Sequence, residues 1–471
     1  MSDASNNVSL ICLDAVRKDV FDEYARRLRA RADVSFEQCR AASGWSVPSH
    51  ASMITGRYPH QHGIHIFNRD FSGLTRGDTF LADLPDHRAI GASANVYASE
   101  AFGFDGFFDS FSSVSPDRRF PRGMDAEKWG QECDETGMAR NLQYVRDSLS
   151  HDHPLYSLAN GALVELDRFF AGLPVPKPFD DGANIVSREA AKLVRAGPEP
   201  FFLFTNYMDV HGPLTPVRGY DRSLYDAPPS WSSGDFDKAD IEAGRIEENR
   251  HHVENHRGLY AAAVDYLDRK VTALIEEVDA ATDRETTYVI TADHGENLGY
   301  PEEERRFAHR SGLSEGLLHV PMLIVNAPGG EERVETWYVS HVRLGELLVG
   351  LARGEVPDLA EEPIGAERIG SNQPVAPEAS ALADPDRLIR VAYEGGNKYQ
   401  WDSDGDSVRY RLDPERACWQ EVEERGVDVS AYESDLFDVP IEEYRLAAET
   451  DVHASDVDAT TEARLRDLGY L

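Results

Sequence analysis

Apolar residues fall in short runs along the chain, and several of these runs end in a side chain with chemistry to offer. Residues 8–13 read as a buried strand that delivers Asp14 at its carboxyl end, followed by a charged, helix-like stretch at 17–31. A strand, a terminal acid and a helix make the first unit of an α/β sheet, where ligands sit outside the carboxyl ends of strands. The pattern predicts a second strand at 89–96. It gives no periodicity over 103–135, a stretch rich in Gly, Phe, Asp and Pro that is expected to run across the surface. Helical spacing returns at 185–194, a strand follows at 200–205, and 259–278 is a strongly amphipathic helix expected to pack on a sheet face. Residues 287–292 and 319–325 read as further strands, and 343–352 as a helix. The stretch 354–385, rich in Pro, Glu and Ala, is expected to be a linker, and 398–401 with 408–412 form a hairpin around the acidic turn 402–406. The fold class is therefore α/β, a large mixed, mostly parallel sheet between helices with a smaller C-terminal α+β part. The expected division is 1–353, a linker at 354–385, and 386–471.

Composition narrows the choice of partners. The 471 residues carry a formal net charge of -36, which would repel nucleic acid and anionic membranes. Only seven of the 48 basic residues are lysines, an acidic and arginine-rich balance of the kind met in salt-accumulating organisms. Cys12, Cys39, Cys133 and Cys418 lie far apart without a CxxC pair, so a reducing compartment is expected. Residues 1–7 lack the order of a signal peptide, and no apolar run approaches the length of a membrane span, so the expected location is cytoplasmic. The oligomeric state is left open.

Two stretches carry candidate chemistry. Ser46-Val-Pro-Ser-His50, continuing to Thr55-Gly56-Arg57, sets a hydroxyl where a helix begins. On its own it reads first as an ordinary helix cap, and otherwise as a nucleophile beside the unpaired N–H groups that favour an anion. Residues 287–296 form a strand ending in Asp293-His294-Gly295-Glu296, and Asp with His suits a divalent cation. Asp14 and Asp293, from two strand ends, would be costly neighbours without a cation between them, although Asp14 alone also reads as a helix cap. His211 follows a strand and precedes a Gly-Pro turn, a place from which it can point into a cleft or simply be satisfied in its loop. His251, His252 and His256 are read as a solvated helix and not as a metal cluster.

Taken together, Leu13-Asp14 with Arg17 and Asp19, the 46–57 stretch, Met208-Asp-Val-His211-Gly-Pro, Asp293-His294-Gly295-Glu296, Tyr260 to Asp268, Val320-Pro321 and Ser434-Asp-Leu-Phe-Asp438 resemble the sulfatases of the alkaline phosphatase superfamily. The likeness covers nearly the whole chain and implies the three-layer fold of that family, with 1–353 as its catalytic domain. It further implies a sulfuric ester hydrolase in which Ser46 stands at the position oxidised to formylglycine, and one divalent metal ion held by Asp14, Asp293 and His294. Calcium is the leading expectation for that ion, with manganese and zinc as alternatives. His211, His309 and Arg310 would act on the ester oxygens and the leaving group, with His50, Arg57 and Asn68 binding the anion. The implied partners are an anionic small-molecule or glycan ester and a serine-acting maturation enzyme. The sequence departs from the family pattern where Ser46 replaces cysteine, His50 replaces arginine, Ala15 replaces a second aspartate, and no Gly-Lys-Trp-His segment occurs near 90–105. Those departures keep two other readings open: a phosphodiester, phosphonate or phosphoryl-transfer enzyme using unmodified Ser46, and a non-catalytic anion binder.

Overall fold

The computed structural model describes residues 5–116, 118–133, 135–171, 173–235, 245–309, 312–330, 332–370, 387–450 and 457–468. Eight strands form the main sheet: β1 (Asn7–Leu13), β2 (Val34–Arg40), β3 (Arg88–Ser93), β4 (Ser110–Ser113), β5 (Phe201–Tyr207), β6 (Thr286–Thr291), β7 (Met322–Val325) and β8 (Arg333–Ser340). Their spatial order is β4-β3-β5-β1-β6-β7-β2-β8, parallel except that β7 runs antiparallel to both β6 and β2. The central strand β1, Asn-Val-Ser-Leu-Ile-Cys-Leu, is buried at every position, as expected of a parallel strand covered on both faces. Helices Ala183–Arg195 and Arg250–Asp279 pack on each other and on this sheet, as do Ser46–Thr55 and Leu344–Ala352. The mixed α/β architecture anticipated above is the one observed.

Register decides where the chemistry goes. Leu13 pairs with Tyr207, and Cys12 with Thr291, so β1, β5 and β6 end at one level. The residues that follow those strands, Asp14, Met208–His211 and Ala292–Glu296, are thereby gathered at one edge of the sheet.

Besides the stretch 103–135, expected to run across the surface but found to bury Phe104 and Phe107 and to supply β4 at the sheet's edge, three segments differ from expectation. The helix-like stretch 17–31 is two short helices, Lys18–Tyr24 and Arg26–Arg31, that meet at Ala25. Strand β2, which had no counterpart in the predicted elements, is a Val-Ser-Phe-Glu-Gln-Cys-Arg segment whose alternation is short and spoiled by charges. The third is the expected linker at 354–385. It contains strand β9 (Ile364–Ile369), which opens a second, antiparallel sheet with β10 (Leu388–Glu394), β11 (Asn397–Asp402), β12 (Ser407–Leu412) and β13 (Gln420–Arg425). Glu367 and Arg368 give β9 the polarity of a linker, yet both are buried. They remain so because they are paired: Glu367 with Arg390 at 3.0 Å, and Arg368 through hydrogen bonds to the carbonyls of Gly44 and His309. The rest of that stretch, from 371 onward, lies outside the described residues. The β11–β12 hairpin forms as predicted, with Asp402 Oδ1 accepting the N–H groups of Asp404 and Asp406 in the turn. His256, expected on a solvated helix face, is instead buried against Phe307.

Candidate active site

Ser46 is the first residue of helix Ser46–Thr55, and its side chain is fully buried. It does not cap the helix. Its Oγ lies 3.3 Å from Asp14 Oδ2 and 3.2 Å from His294 Nε2. The hydroxyl is thus aimed into the strand-end cluster, with the N–H groups of the helix's first turn around it.

Asp14, Asp293 and His294 are wholly buried, and their ligand atoms lie within 4.8 Å of one another. Each carboxylate is partly satisfied. Asp14 Oδ2 accepts from Asn95 Nδ2 at 2.6 Å, and Asp293 Oδ1 accepts from the N–H groups of Ala15 and His294 at 3.2 and 2.9 Å. The other oxygens, Asp14 Oδ1 and Asp293 Oδ2, have no hydrogen-bond partner among the described residues. Burial, reinforced by the charge of Asp293, pushes the Asp14 carboxyl up to about 7, and burial pushes Asp293 up to about 6. Two buried acids with orphaned oxygens facing an imidazole form a site that a divalent cation fits, because the cation supplies the charge these oxygens lack. His294 Nδ1 bonds the Gly295 carbonyl at 2.7 Å, which directs Nε2 toward Ser46 and the acids.

The supporting shell explains local features of the chain. Ala15 has φ of 59°, an uncommon value for a residue with a Cβ, and in that conformation its N–H reaches Asp293 while its carbonyl accepts from the Tyr260 hydroxyl. Gly295 is required by crowding: a Cβ there would meet the Gly316 carbonyl oxygen at 2.1 Å. Buried Arg17 bonds the Glu296 carbonyl and pairs with Asp19 and Glu303, holding the loop after β6 against the helix after β1.

A second row of histidines lies beside the cluster. The His309 ring is 4.6 Å from that of His294 and 5.0 Å from that of His211, and Glu296 takes His309 Nδ1 at 3.1 and 3.2 Å. His211 is buried after β5, with Nδ1 on the Gly212 carbonyl at 2.6 Å. His50 is also present, but as a support: Nδ1 bonds the Ser46 carbonyl at 2.8 Å and Nε2 meets Asn206 at 3.0 Å, while burial lowers its pKa.

The structure therefore brings Ser46, Asp14, Asp293, His294, His309, His211 and His50 together. Arg57 and Asn68, expected to bind the anion, make their contacts elsewhere. Arg57 follows the helix on the outside, 3.8 Å from Asp78, and Asn68 donates to the Gly63 carbonyl at 2.9 Å. Arg310 lies outside the described residues. Sequence reasoning missed Asn95, Asn206 and Arg368. Asn95 follows β3 much as Asp14 follows β1, a positional signal hidden because the predicted strand ran on to residue 96.

Residues 6–354 match the family model described as Sulfatase, and the chain belongs to that family. It is 28% identical over 174 residues to the uncharacterized sulfatase YidJ of Escherichia coli (strain K12), a match spanning 34% of this chain and 33% of that relative. Among solved structures, the phosphonate monoester hydrolase of Agrobacterium radiobacter aligns with a TM-score of 0.57 at 15% identity, over 95% of this chain and 96% of that one. A phosphonate monoester hydrolase from Silicibacter pomeroyi aligns at 0.52 and 17% identity, over 98% and 96% of the two chains. A structure determined in complex with its substrate, D-glucosamine-2-N,6-O-disulfate, aligns at 0.55 and 12% identity, over 96% and 100%. These structural likenesses establish the fold. Among the described residues no helix is long and apolar enough to cross a membrane.

Proposed function

We propose that the chain is a cation-dependent hydrolase of anionic esters, sulfate esters foremost, with Ser46 or its formylglycine derivative as nucleophile. The observation that carries this reading is the placement of Ser46 Oγ at 3.2–3.3 Å from both His294 and Asp14, two members of the cation-binding group. Asp14, Asp293 and His294 would hold the cation, with calcium favoured by the two carboxylates and manganese or zinc by the imidazole. A divalent cation bound there would polarise the ester oxygen and lower the pKa of the attacking hydroxyl.

The chain's own groups supply the rest. Ser46 Oγ attacks sulfur or phosphorus from the helix N-terminus, where backbone N–H groups favour the anionic centre. Glu296 accepts the Nδ1 hydrogen of His309, and from the doubly protonated ring the Nε2 hydrogen passes to the departing ester oxygen, with His211 beside it. As the bond from Oγ to sulfur or phosphorus forms, the hydroxyl proton passes to Asp14 Oδ2, which already accepts it, and the bond to the alcohol oxygen breaks. Water then hydrolyses the ester on an unmodified Ser46, whereas on formylglycine the hydrate's second hydroxyl expels the sulfate and the aldehyde re-forms.

A second reading, a phosphodiester or phosphonate monoester hydrolase using unmodified Ser46, is favoured by His50. Held by Asn206 and the Ser46 carbonyl, and kept neutral by burial, it offers no positive charge to an aldehyde hydrate. Mass spectrometry of the Ser46 peptide, run alongside assays with aryl sulfate and aryl phosphonate monoesters, separates the two. A peptide lighter by two hydrogens with sulfatase turnover supports the first. An unmodified serine with phosphonate or phosphodiester turnover overturns it in favour of the second.

A further inference from the structure

The segment between β4 and β5 carries two helices, Gly137–Ser150 and Pro154–Ala171, that contribute nothing to the site described above. They pack against each other and touch the body through Asn160, which bonds the Phe120 and Met124 backbone, and Trp129, which donates to Asp147. Their outer faces are unusual for a chain this acidic. Met138, Leu142, Val145 and Leu149 are 80%, 66%, 43% and 61% exposed, at successive spacings of four, three and four. On the second helix Leu155, Leu166 and Phe169 are 80%, 40% and 63% exposed, and with Ala162 they fall seven, four and three apart, the three-to-four interval with one turn skipped. That interval is the seam of a helical bundle, each stripe narrow enough to face one partner helix. The stripes also border a common groove of about 460 Å³, to which Val145 contributes from one helix and Ala162 from the other, with Tyr144 and Leu158. They therefore form one surface.

We infer that this surface pairs with the same surface on a second copy, the two helical hairpins closing into an intermolecular four-helix bundle. Three features select a second copy over other occupants. A stripe at heptad spacing on both helices of a hairpin completes itself when two hairpins meet about a two-fold axis. Helices of 14 and 18 residues offer a face on the order of 25 by 20 Å, close to what a small two-fold interface needs from each side. Charge argues against the alternative of an anionic lipid surface. The arginines flanking the stripes, Arg140, Arg146 and Arg168, stand among Asp147, Asp152, Glu165 and Asp167, and the chain as a whole carries -36. An anionic bilayer would be repelled, whereas these mixed-sign flanks can pair across a two-fold axis.

The test uses the full chain in sedimentation at matched ionic strength. The unaltered protein is expected at twice its 52.5 kDa. The double substitution Leu142→Glu with Leu149→Glu, and separately Phe169→Glu on the other helix, should each weaken the dimer at least tenfold while far-UV circular dichroism and bound calcium stay unchanged. A monomer at tens of micromolar overturns the proposal, as does a dimer that neither variant weakens. Flotation of the unaltered protein with phosphatidylcholine–phosphatidylglycerol vesicles, lost in the same variants, would overturn it in favour of a lipid surface.

Discussion

Both carboxylate oxygens of Glu296 face Nδ1 of His309, at 3.2 and 3.1 Å, and the two residues are joined in this way only because the loop after β6 folds back over itself. A carboxylate at that distance fixes the imidazole's orientation and supports its protonated form. Glu296→Gln is expected to lower kcat about 10–100-fold with little change in KM. The limb of the pH–rate profile that reports the acid should move as well, because the carboxylate charge facing the histidine is gone. Steady-state kinetics across pH checks both; an unmoved profile would mean that Glu296 does no more than fill space.

The buried acids make stability depend on pH when no cation is bound. Folded Asp14 titrates near 7 and Asp293 near 6, against an ordinary 3.8. The folded state then binds more protons than the unfolded one between about 4 and 7, so stability falls as pH rises through that window. A divalent cation bound by Asp14, Asp293 and His294 should cancel the loss. Thermal denaturation with chelator and with calcium should therefore give Tm values that diverge as pH is raised from 4 to 7, and parallel curves would contradict the assignment of the site.

Asp293→Ala is expected to remove cation content and turnover together, as measured by elemental analysis and ester hydrolysis. Retained activity in protein shown to be free of metal would sink the proposed chemistry.

Ser46→Ala separates binding from attack. It removes the hydroxyl and leaves Asp14, Asp293 and His294 in place, so cation binding should survive while turnover falls on the order of 10^3-fold or more. Titration calorimetry and an ester assay on one preparation give both answers.

Arg17 is the strongest stability probe near the site. Its side chain is 2% exposed and pairs with Glu303, which is wholly buried. Arg17→Ala leaves that carboxylate without its cation and should cost about 3–5 kcal/mol in chemical denaturation.

The sequence made the site legible where function and topology coincide. Asp14 and Asp293 stand at the ends of short strands rich in apolar and β-branched residues, so both strand and terminal acid could be read directly. The periodicity of Arg250–Asp279 and the turn at 402–406 were equally plain. Legibility failed where a charge is buried by a distant partner. Arg368 and Glu367 look like linker residues until Gly44, His309 and Arg390 are seen beside them, and those partners are far away in the chain. Arg57 failed in the opposite sense: its place in a familiar run suggested an anion ligand, but the left-handed Gly56 that ends the helix turns the next residue outward.

The reversed direction of β7 has a consequence for how such a protein diversifies. Thr291 at the end of β6 pairs with Met322 at the start of β7, so the intervening segment, 292–321, departs from and returns to the same rim of the sheet. A parallel neighbour would have required a crossover to the far end. Here, lengthening the segment between the groups it carries, Asp293, His294, Glu296 and His309, need not disturb a single rung of the ladder, and the residues gained would stay at the rim that holds those groups. The rim is thus a natural place for relatives to acquire new substrate preferences, and the first place to randomise in a laboratory search for them.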